Sequence, residues 1–365
     1  MYSNYGQHVQ VNLFGESHGS AVGCVINGLA PGIALDLEFI TRQLELRRPH
    51  GNISTPRRES DDFEIISGFY RGYTTGTPLC IIIPNREQRS EDYEKKLARP
   101  SHADYTAQEK YMGFQDHRGG GHFSGRITAP LVAAGAVFMQ VLRAKGVNIG
   151  THIASCLEHY DDSFSKHESE IYSQVEKLNI SEFPVLSPQA EANLRKVIEQ
   201  AHAAGDSVGG ILETIVLGMP AGIGEPFFHS IESVLSHLIF SVPAIKGVEF
   251  GLGFAFAGQT GCQVNDAITM REGRVVTTTN NNGGINGGIS NGMPIIIRSV
   301  VKPTPSIHVT QQTIDLESGE NAQITIAGRH DPAIMHRARV VIDSVVALGL
   351  LDLFAGRYGY MWMTK

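Results

Sequence analysis

A glycine run between charged side chains is the stretch of this sequence best suited to chemistry. Residues 118–126 are Arg-Gly-Gly-Gly-His-Phe-Ser-Gly-Arg, and a helical pattern of apolar residues begins at Ile127. Consecutive glycines let backbone N–H groups approach a ligand closely, and a helix N-terminus favours anions. The stretch therefore predicts an anion-binding loop, with an ordinary flexible loop and solvated arginines as the alternative. The lysine of the nucleoside triphosphatase phosphate loop is absent, which argues against that class.

Three histidines stand in stiff or glycine-rich turns, where a side chain can reach a cleft. His18 lies in Phe-Gly-Glu-Ser-His-Gly, His102 lies in Arg-Pro-Ser-His-Ala-Asp, and His330 directly precedes Asp331. Histidine changes charge near neutral pH, so these positions are candidates for proton transfer. A plain surface turn is the alternative for His18. A simple helix cap is the alternative for Asp331, because a proline follows it.

Four arginines within a short segment predict a local site for phosphate or carboxylate groups. They are Arg47, Arg48, Arg57 and Arg58. A guanidinium binds such groups through paired hydrogen bonds. The net charge of the chain is −7, so it is not expected to bind nucleic acid, and an anionic ligand must be held by local arginines. The alternative is a solvated helix end, where cations are also favoured.

The composition indicates a globular protein with a sizeable core. The chain has 365 residues, of which 42% are hydrophobic, enough for one large domain or two ordinary ones. Its four cysteines are widely spaced, which predicts reduced thiols in a cytoplasmic protein and neither disulfides nor a metal site. The first residues are polar, and no apolar run near the roughly 20 residues of a membrane helix is expected.

The elements that must position these residues mix strands with amphipathic helices. Alternating patterns predict strands at residues 9–13, 21–27, 63–67, 79–83, 244–254 and 295–301. Helical patterns are found at residues 37–47, after 127, at 188–204 and at 333–354. The last is apolar nearly all round, which predicts a core helix. Residues 157–190 are polar and predict an irregular surface segment.

A strand–turn–helix unit occurs twice in the chain. Residues 20–33 and 207–223 each contain an apolar strand followed by a similar turn, Gly-Leu-Ala-Pro-Gly-Ile in the first and Gly-Met-Pro-Ala-Gly-Ile in the second, and a helical pattern follows each. Two copies predict a pseudo-symmetric domain, because a solenoid needs three or more repeats. Between residues 280 and 292, Ile285 and Ile289 interrupt an asparagine- and glycine-rich run, so this loop is expected to fold onto the protein.

Eight short motifs occur in order over almost the whole chain: FGESHG, RRP, RPSHAD, RGGG with SGR, KGVEFG, NNNGGINGGISNG, KPTPS and GRHDP. Together they resemble the chorismate synthase family. The resemblance implies a carbon–oxygen lyase of the shikimate pathway, which eliminates phosphate from 5-enolpyruvylshikimate 3-phosphate with 1,4-anti geometry. It implies reduced FMN as cofactor, although no net redox change occurs. It also implies an α+β fold, with long helices between antiparallel sheets, one domain over residues 1–365, and a homotetramer without membrane or nucleic-acid partners.

The resemblance also implies roles for individual residues. His18 would protonate the departing phosphate, His102 would supply a proton at the flavin N1 and O2 edge, and Asp331 would act as the base at flavin N5. The substrate-binding residues would be Arg47, Arg48, Arg57 and Arg126. The FMN-binding residues would be His122, Phe123, Ser124, Ala244, Gly287, Lys302, Pro303, Thr304, Pro305, Ser306 and Arg329.

One departure from the family pattern lies inside the glycine-rich stretch. Many family members have arginine and serine where this chain has His122 and Phe123, so a permanent charge is lost there. Two other functions stay open at this point. One is a flavin- or anion-binding homologue without catalysis, and the other is a flavin-dependent oxidoreductase of another class. Whether the protein reduces its own flavin with NADPH is also left open by the sequence.

Overall fold

The computed structural model describes residues 3–49, 51–54, 60–86, 96–165, 167–326 and 331–365. In these ranges the α-helices are α1 Leu37–Arg47, α2 Asp104–Tyr111, α3 Thr128–Ala144, α4 Glu168–Ile180, α5 Pro188–Ala203, α6 Ile231–Ser241, α7 Gly261–Val264 and α8 Met335–Tyr358. The strands are β1 Asn4–Tyr5, β2 Gln10–Gly15, β3 Ala21–Asn27, β4 Glu64–Ser67, β5 Phe69–Tyr70, β6 Tyr73–Thr74, β7 Leu79–Pro84, β8 Asn148–Cys156, β9 His159–Tyr160, β10 Gly210–Leu217, β11 Ile245–Phe250, β12 Ile268–Arg271, β13 Arg274–Thr277, β14 Ile285–Asn286, β15 Ile289–Ser290, β16 Ile295–Val301, β17 Gln311–Ile314 and β18 Asn321–Ile324.

Two five-stranded antiparallel sheets form the outer layers. The first has the strand order β1-β2-β3-β7-β4, and the second has the order β11-β16-β10-β8-β9. In β3, Val22, Cys24 and Ile26 are buried at alternate positions, as expected when one face of a sheet covers a core. The sequence prediction of strands 21–27 and 295–301 is confirmed at both ends of each strand.

The helices α3 and α8 pack against each other between the two sheets. At their contact Gly135 meets Ser344, and a Cβ on this glycine would lie 2.2 Å from the serine Cβ. Residues 125–144 are long and apolar enough to cross a membrane by length and composition, contrary to expectation, but they are mostly buried inside the protein. The predicted α+β sandwich with long core helices is therefore confirmed.

The repeat seen in the sequence extends to the whole fold. The order β2-β3-α1-β4-β7-α3 in the first half matches β8-β10-α6-β11-β16-α8 in the second half. The neighbours within each sheet also match, because β2-β3-β7-β4 corresponds to β8-β10-β16-β11. In each half the shorter helix lies beside the longer core helix. The predicted internal pseudo-symmetry is therefore confirmed.

The helices α3 and α8 begin at the same end of the molecule. Arg337, in the first turn of α8, donates from Nε to the carbonyl of Arg47 over 2.9 Å, and Arg47 reaches the carbonyl of Gly125 just before α3. At the opposite end, His8 packs against Gly356 in α8, beside a cavity of about 360 Å³ that the first turn of α6 also borders. Helix α6 therefore runs antiparallel to α8.

The sequence prediction of an irregular segment at residues 157–190 is wrong. Residues 157–190 contain α4, whose Ile171 and Val175 pack on Ile215 and Leu217 from the outer side of the second sheet. The polar majority of this segment obscured its narrow apolar stripe. The buried Ile285, in contrast, confirms that the 280–292 loop folds onto the protein.

The helix α8 begins later than predicted. Its N-cap position is Ile334, which makes no side-chain capping bond, so Asp331 is not a helix cap. The Asp331 carboxylate instead accepts a hydrogen bond from the side chain of Arg337. An ion pair inside the protein therefore takes the place of the local capping bond that the Asp-Pro pattern predicts.

Candidate active site

The glycine run lies between two of the predicted histidines. A Cβ on Gly119 would lie 2.2 Å from Cε1 of His18, and a Cβ on Gly120 would lie 3.6 Å from Cε1 of His102. Gly119 and Gly120 also have φ of 58° and 82°, in the left-handed region. Only glycine satisfies both demands at position 119. The loop therefore brings His18 and His102 to its two sides, although they are far apart in the sequence.

The loop is fastened to the turn that carries His18. The backbone N–H of Ser17 donates to the carbonyl of Gly121 over 3.1 Å. His122 Nδ1 donates to the carbonyl of Gly15 over 2.9 Å, and its Nε2 lies 2.9 Å from the hydroxyl of Ser3. Both ring nitrogens of His122 are therefore engaged within the chain, at the position where many family members have arginine.

The two residues after His122 also contact the chain itself. The ring of Phe123 meets Tyr111 of α2 edge-on, with centroids 6.1 Å apart. The hydroxyl of Ser124 accepts a hydrogen bond from the backbone N–H of Arg126 over 3.3 Å. These contacts shape the start of α3, and their assignment to the cofactor stays a prediction.

His102 is oriented by a carboxylate that the sequence analysis did not single out. Its Nδ1 donates to Oδ1 of Asp104 over 2.8 Å, which turns the Cε1–Nε2 edge toward Gly120. Arg99 donates to both carboxylate oxygens of Asp104, over 2.7 and 2.8 Å. Burial alone would raise the pKa of Asp104, but hydrogen bonds from Arg99 and His102 hold it well below its usual range. Asp104 therefore stays ionised and fixes the orientation of the imidazole.

The predicted substrate arginines converge on one buried carboxylate, that of Asp61. Its Oδ2 accepts from Arg47 Nη2 over 2.7 Å, its Oδ1 accepts from Arg126 Nη1, and Arg48 Nε lies 3.8 Å away. Burial alone would raise the pKa of Asp61, but the charges of Arg47 and Arg126 lower it. Only its place near an arginine-rich segment of an acidic chain could have suggested Asp61.

Asp331 joins the same cluster through Arg337. Its Oδ2 accepts from Arg337 Nη1 over 2.5 Å, and Arg337 Nε bonds the backbone of Arg47. Burial lowers the pKa of Arg337, and the charge of Asp331 opposes that effect. The sequence analysis missed Arg337, because an arginine in a mainly apolar helix gives by itself no signal of a site.

The turn at residues 302–306, which is predicted to bind the cofactor, contacts the turn that carries His102. Lys302 donates from its backbone N–H to the carbonyl of Ala244 over 2.9 Å, and from Nζ to the carbonyl of Ser101 over 2.6 Å. Thr304 Oγ1 is buried and has no hydrogen-bond partner in the part of the chain that the structure describes. Ser306 is buried two residues later. Pro303 and Pro305 stiffen this turn.

Gly287 does not join the other predicted residues within this chain. It lies in the turn between β14 and β15, where the carbonyl of Gly288 accepts a hydrogen bond from Ile231 at the start of α6. Ala244 follows the other end of α6, and an eleven-residue helix is roughly 16 Å long. Arg57 and Arg329 lie outside the described residues, as does His330.

The arrangement suits an anion and the transfer of protons. Within the ranges that the structure describes, four arginines (Arg47, Arg48, Arg126 and Arg337) face two aspartates (Asp61 and Asp331), so the positive charges outnumber the negative ones by two. The N-termini of α3 and α8 add partial positive charge at the same end. His18, His102 and Asp331 provide groups that can give or accept a proton. Among the described residues, no group of histidine, cysteine and acidic side chains could hold a metal ion.

Proteins described as chorismate synthases are similar to this chain in sequence and in fold. A sequence model of the family described as chorismate synthase matches residues 9–355. Chorismate synthase of Pyrococcus abyssi is 44% identical over 351 residues, which cover 95% of this chain and 96% of that protein. Chorismate synthase of Chitinophaga pinensis is 44% identical over 352 residues, 96% of each chain. A crystal structure of a chorismate synthase matches with a TM-score of 0.77 at 29% identity, covering 97% of this chain and 94% of the other.

Proposed function

Since the chain belongs to the chorismate synthase family, we propose that it converts 5-enolpyruvylshikimate 3-phosphate to chorismate by 1,4-anti elimination of phosphate. The reaction breaks a carbon–oxygen bond, so the enzyme is a carbon–oxygen lyase of the shikimate pathway. The observation that carries the proposal is the convergence of His18, His102 and Asp331 with an arginine cluster at one end of the helix layer.

The charges of the cluster match a substrate with one phosphate and two carboxylates. Arg47, Arg48 and Arg126 would bind these groups, because guanidinium forks pair with planar and tetrahedral anionic oxygens. Arg57 is a further candidate from outside the described residues. The buried surroundings exclude water and strengthen each contact, since charges interact more strongly at low dielectric.

The turn at residues 302–306 fits a phosphate-bearing cofactor. Thr304 Oγ1 is a buried hydroxyl without a partner in the described part of the chain, and the ammonium of Lys302 lies in the same turn. We propose that reduced FMN is held here. Its other ligands would be His122, Phe123, Ser124, Ala244, Gly287, Pro303, Pro305, Ser306 and Arg329. When bound, reduced FMN would supply an electron-rich ring that promotes loss of phosphate without net redox change.

Three side chains of this protein would handle protons during the elimination. His18 donates a proton to the phosphate oxygen as the carbon–oxygen bond breaks. Asp331 accepts, at its carboxylate, the proton lost from the substrate ring, while Arg337 holds that carboxylate in place. His102, oriented by Asp104, would present its Nε2 edge to the cofactor as a site for proton transfer.

We further propose that the chain is a single domain that assembles as a cytoplasmic homotetramer. Support for one domain comes from a hydrophobic cluster that contains residues of both sheets and of α1, α3, α6 and α8. The four cysteines are free thiols, which suits a reducing compartment. Large apolar side chains exposed between residues 254 and 275 are suited to burial by another subunit: Phe254, Ile268, Met270 and Val275.

An anaerobic assay of phosphate release tests the proposed function. The full-length protein is mixed with 5-enolpyruvylshikimate 3-phosphate and with chemically reduced FMN, oxidised FMN or no flavin. Release is expected only with reduced FMN. Equal release without flavin would remove the cofactor from the proposal, and no release in any arm would favour the non-catalytic homologue.

A further arm of the assay separates the lyase from an oxidoreductase. Here NADPH is the sole reductant and oxidised FMN is present. A lyase consumes at most the NADPH needed to keep its flavin reduced, far less than the phosphate released. Consumption of one NADPH for each product molecule would instead indicate a flavin-dependent oxidoreductase.

A further inference from the structure

We infer that Asp61 is a positioning residue that holds Arg47 and Arg126 in one fixed arrangement for a substrate with at least two negative charges. The inference rests on the proposed function, because it concerns how that same site recognises phosphate and carboxylate groups. Asp61 would not touch the reacting atoms. It acts through the guanidinium groups that bind the substrate.

The geometry joins three separate parts of the first half of the chain. Arg47 lies in the last turn of α1, Arg126 lies just before α3, and Asp61 lies in the segment before β4. One carboxylate oxygen accepts from Arg47 and the other from Arg126, and the Asp61 side chain is fully buried. Arg126 is also held from Nε by Asn85 Oδ1 over 2.8 Å. A single carboxylate therefore sets the relative placement of two guanidinium groups.

Two guanidinium N–H groups beside this pair lack a hydrogen-bond acceptor among the described residues. Arg47 is only 6% exposed, yet its Nε has no hydrogen-bond partner in the described part of the chain, and the same holds for Nε of Arg48. A buried donor without an acceptor is costly, so such atoms mark a place where a ligand supplies the acceptor. Guanidinium donors that lack an acceptor select anionic oxygens.

Whether Asp61 is a positioning residue or a simple counter-ion can be decided by whether its removal weakens or tightens anion binding. A counter-ion competes with the substrate for the arginines, so its removal leaves more positive charge and tightens anion binding. A positioning residue does the opposite, because its removal frees the guanidinium groups to adopt other orientations. Loss of preorganisation then weakens anion binding despite the higher charge.

The test compares Asp61→Asn with Asp62→Asn in the full-length protein. Asp62 is the adjacent residue, and its exposed side chain pairs with Arg86 over 3.1 Å, so it provides the same chemical change outside the site. For Asp61→Asn, the Michaelis constant for 5-enolpyruvylshikimate 3-phosphate is expected to rise at least roughly tenfold, while kcat changes less than about threefold. Asp62→Asn is expected to leave both constants unchanged.

A second measurement uses inorganic phosphate as the probe in titration calorimetry. Its affinity is expected to fall in Asp61→Asn and to stay unchanged in Asp62→Asn. Equal or tighter phosphate binding by Asp61→Asn would overturn the inference and make Asp61 a counter-ion. The calorimetry needs no turnover, so it still decides the role of Asp61 if the unmodified protein releases no phosphate from the substrate and the proposed function fails.

Asp61→Glu keeps the inference falsifiable if Asp61→Asn does not fold. This variant keeps the charge but moves the carboxylate by one methylene group. The positioning role predicts a raised Michaelis constant and weakened phosphate binding here too. Unchanged values for both would overturn it, because charge alone would then suffice.

Discussion

At the scale of single residues, the proposed site separates groups that would bind charge from groups that would carry protons. The arginines are fixed by Asp61 and Asp331, whereas His18 and His102 stand on either side of the glycine loop. Asp331 belongs to both sets, because Arg337 holds it beside the arginine cluster. Its substitution is therefore informative about proton transfer.

Asp331→Asn is expected to lower turnover at least roughly a hundredfold, because an amide cannot accept a proton at neutral pH. The variant should still fold, since asparagine can still accept a hydrogen bond from Arg337 and no helix cap is lost, but its thermal stability should fall because Arg337 loses the charge that opposes the cost of its burial. Anaerobic phosphate release with reduced FMN and thermal unfolding measure the two effects. A folded variant with full turnover would show that Asp331 is not the base.

At the scale of elements, the pseudo-symmetry explains why the site lies where it does. The helices α3 and α8 are equivalent in the two halves, and both direct their N-termini to the same end. The loops before these helices are therefore brought together, one with three glycines and one with Asp331. Each helix contributes about half a positive charge at its N-terminus, which favours an anionic ligand between them.

The glycine loop gives a prediction with a matched control inside the same stretch. A Cβ at Gly119 would collide with the His18 ring, whereas a Cβ at Gly125 meets nothing within 4 Å. Gly119→Ala is expected to displace His18 and to lower kcat roughly a hundredfold or more. Gly125→Ala should keep nearly full activity. Similar kcat values for both variants would contradict the close packing of the loop on His18.

The connection from β8 to α5 gives a prediction about stability and pH. His152 Nδ1 lies 2.7 Å from Asp161 Oδ2, and Asp161 also accepts from the backbone N–H groups of Leu186 and Ser187. Burial alone would lower the pKa of His152, but the hydrogen bonds that its ring donates to Asp161 and Glu213 raise it.

A raised pKa in the folded state means that protonated His152 stabilises the fold. This contribution is complete below the unfolded pKa of about 6.5 and is lost as pH rises through the higher folded pKa. The melting temperature should therefore fall from pH 6 to pH 9 by more in the unmodified protein than in His152→Asn. An equal fall in both proteins would contradict the prediction.

At the scale of the whole molecule, the proposed role of Gly287 in FMN binding is linked to the proposed assembly of subunits. This glycine lies at the far end of α6 from Ala244, so we propose that the Gly287 that contacts FMN beside Ala244 comes from another subunit. Gly287 has a φ of 62°, which asparagine tolerates, and a Cβ there meets nothing within 4 Å.

Gly287→Asn is expected to weaken FMN binding roughly tenfold or more without changing the melting temperature, because only a ligand or another subunit would meet the new side chain. Gly146→Asn is the control, since that glycine has a φ of 80° and equally open surroundings. Flavin fluorescence titration and light scattering measure the binding and the assembly. Unchanged FMN affinity in a tetramer would exclude Gly287 from the site.

The sequence by itself determined the local chemistry and the types of most elements. Alternating and helical patterns depend on neighbouring residues, so the strand at 21–27 and the core helix near 340 could be predicted directly. The repeated strand–turn–helix unit predicted the pseudo-symmetry for the same reason. The motif residues also indicated an anionic ligand, because arginine side chains and the backbone N–H groups of glycine-rich loops are suited to binding anions.

Only the tertiary structure decided which groups meet. Asp61 lies 14 residues after Arg47 and 65 before Arg126, and no periodic pattern connects such positions. In the sequence, Arg337 is only a charged residue within a mainly apolar helix, and the structure shows that it pairs with Asp331. Gly287 lies in a glycine-rich turn like the others, but this turn is at the opposite end of α6 from Ala244. These outcomes depend on packing between distant segments, which local sequence patterns do not encode.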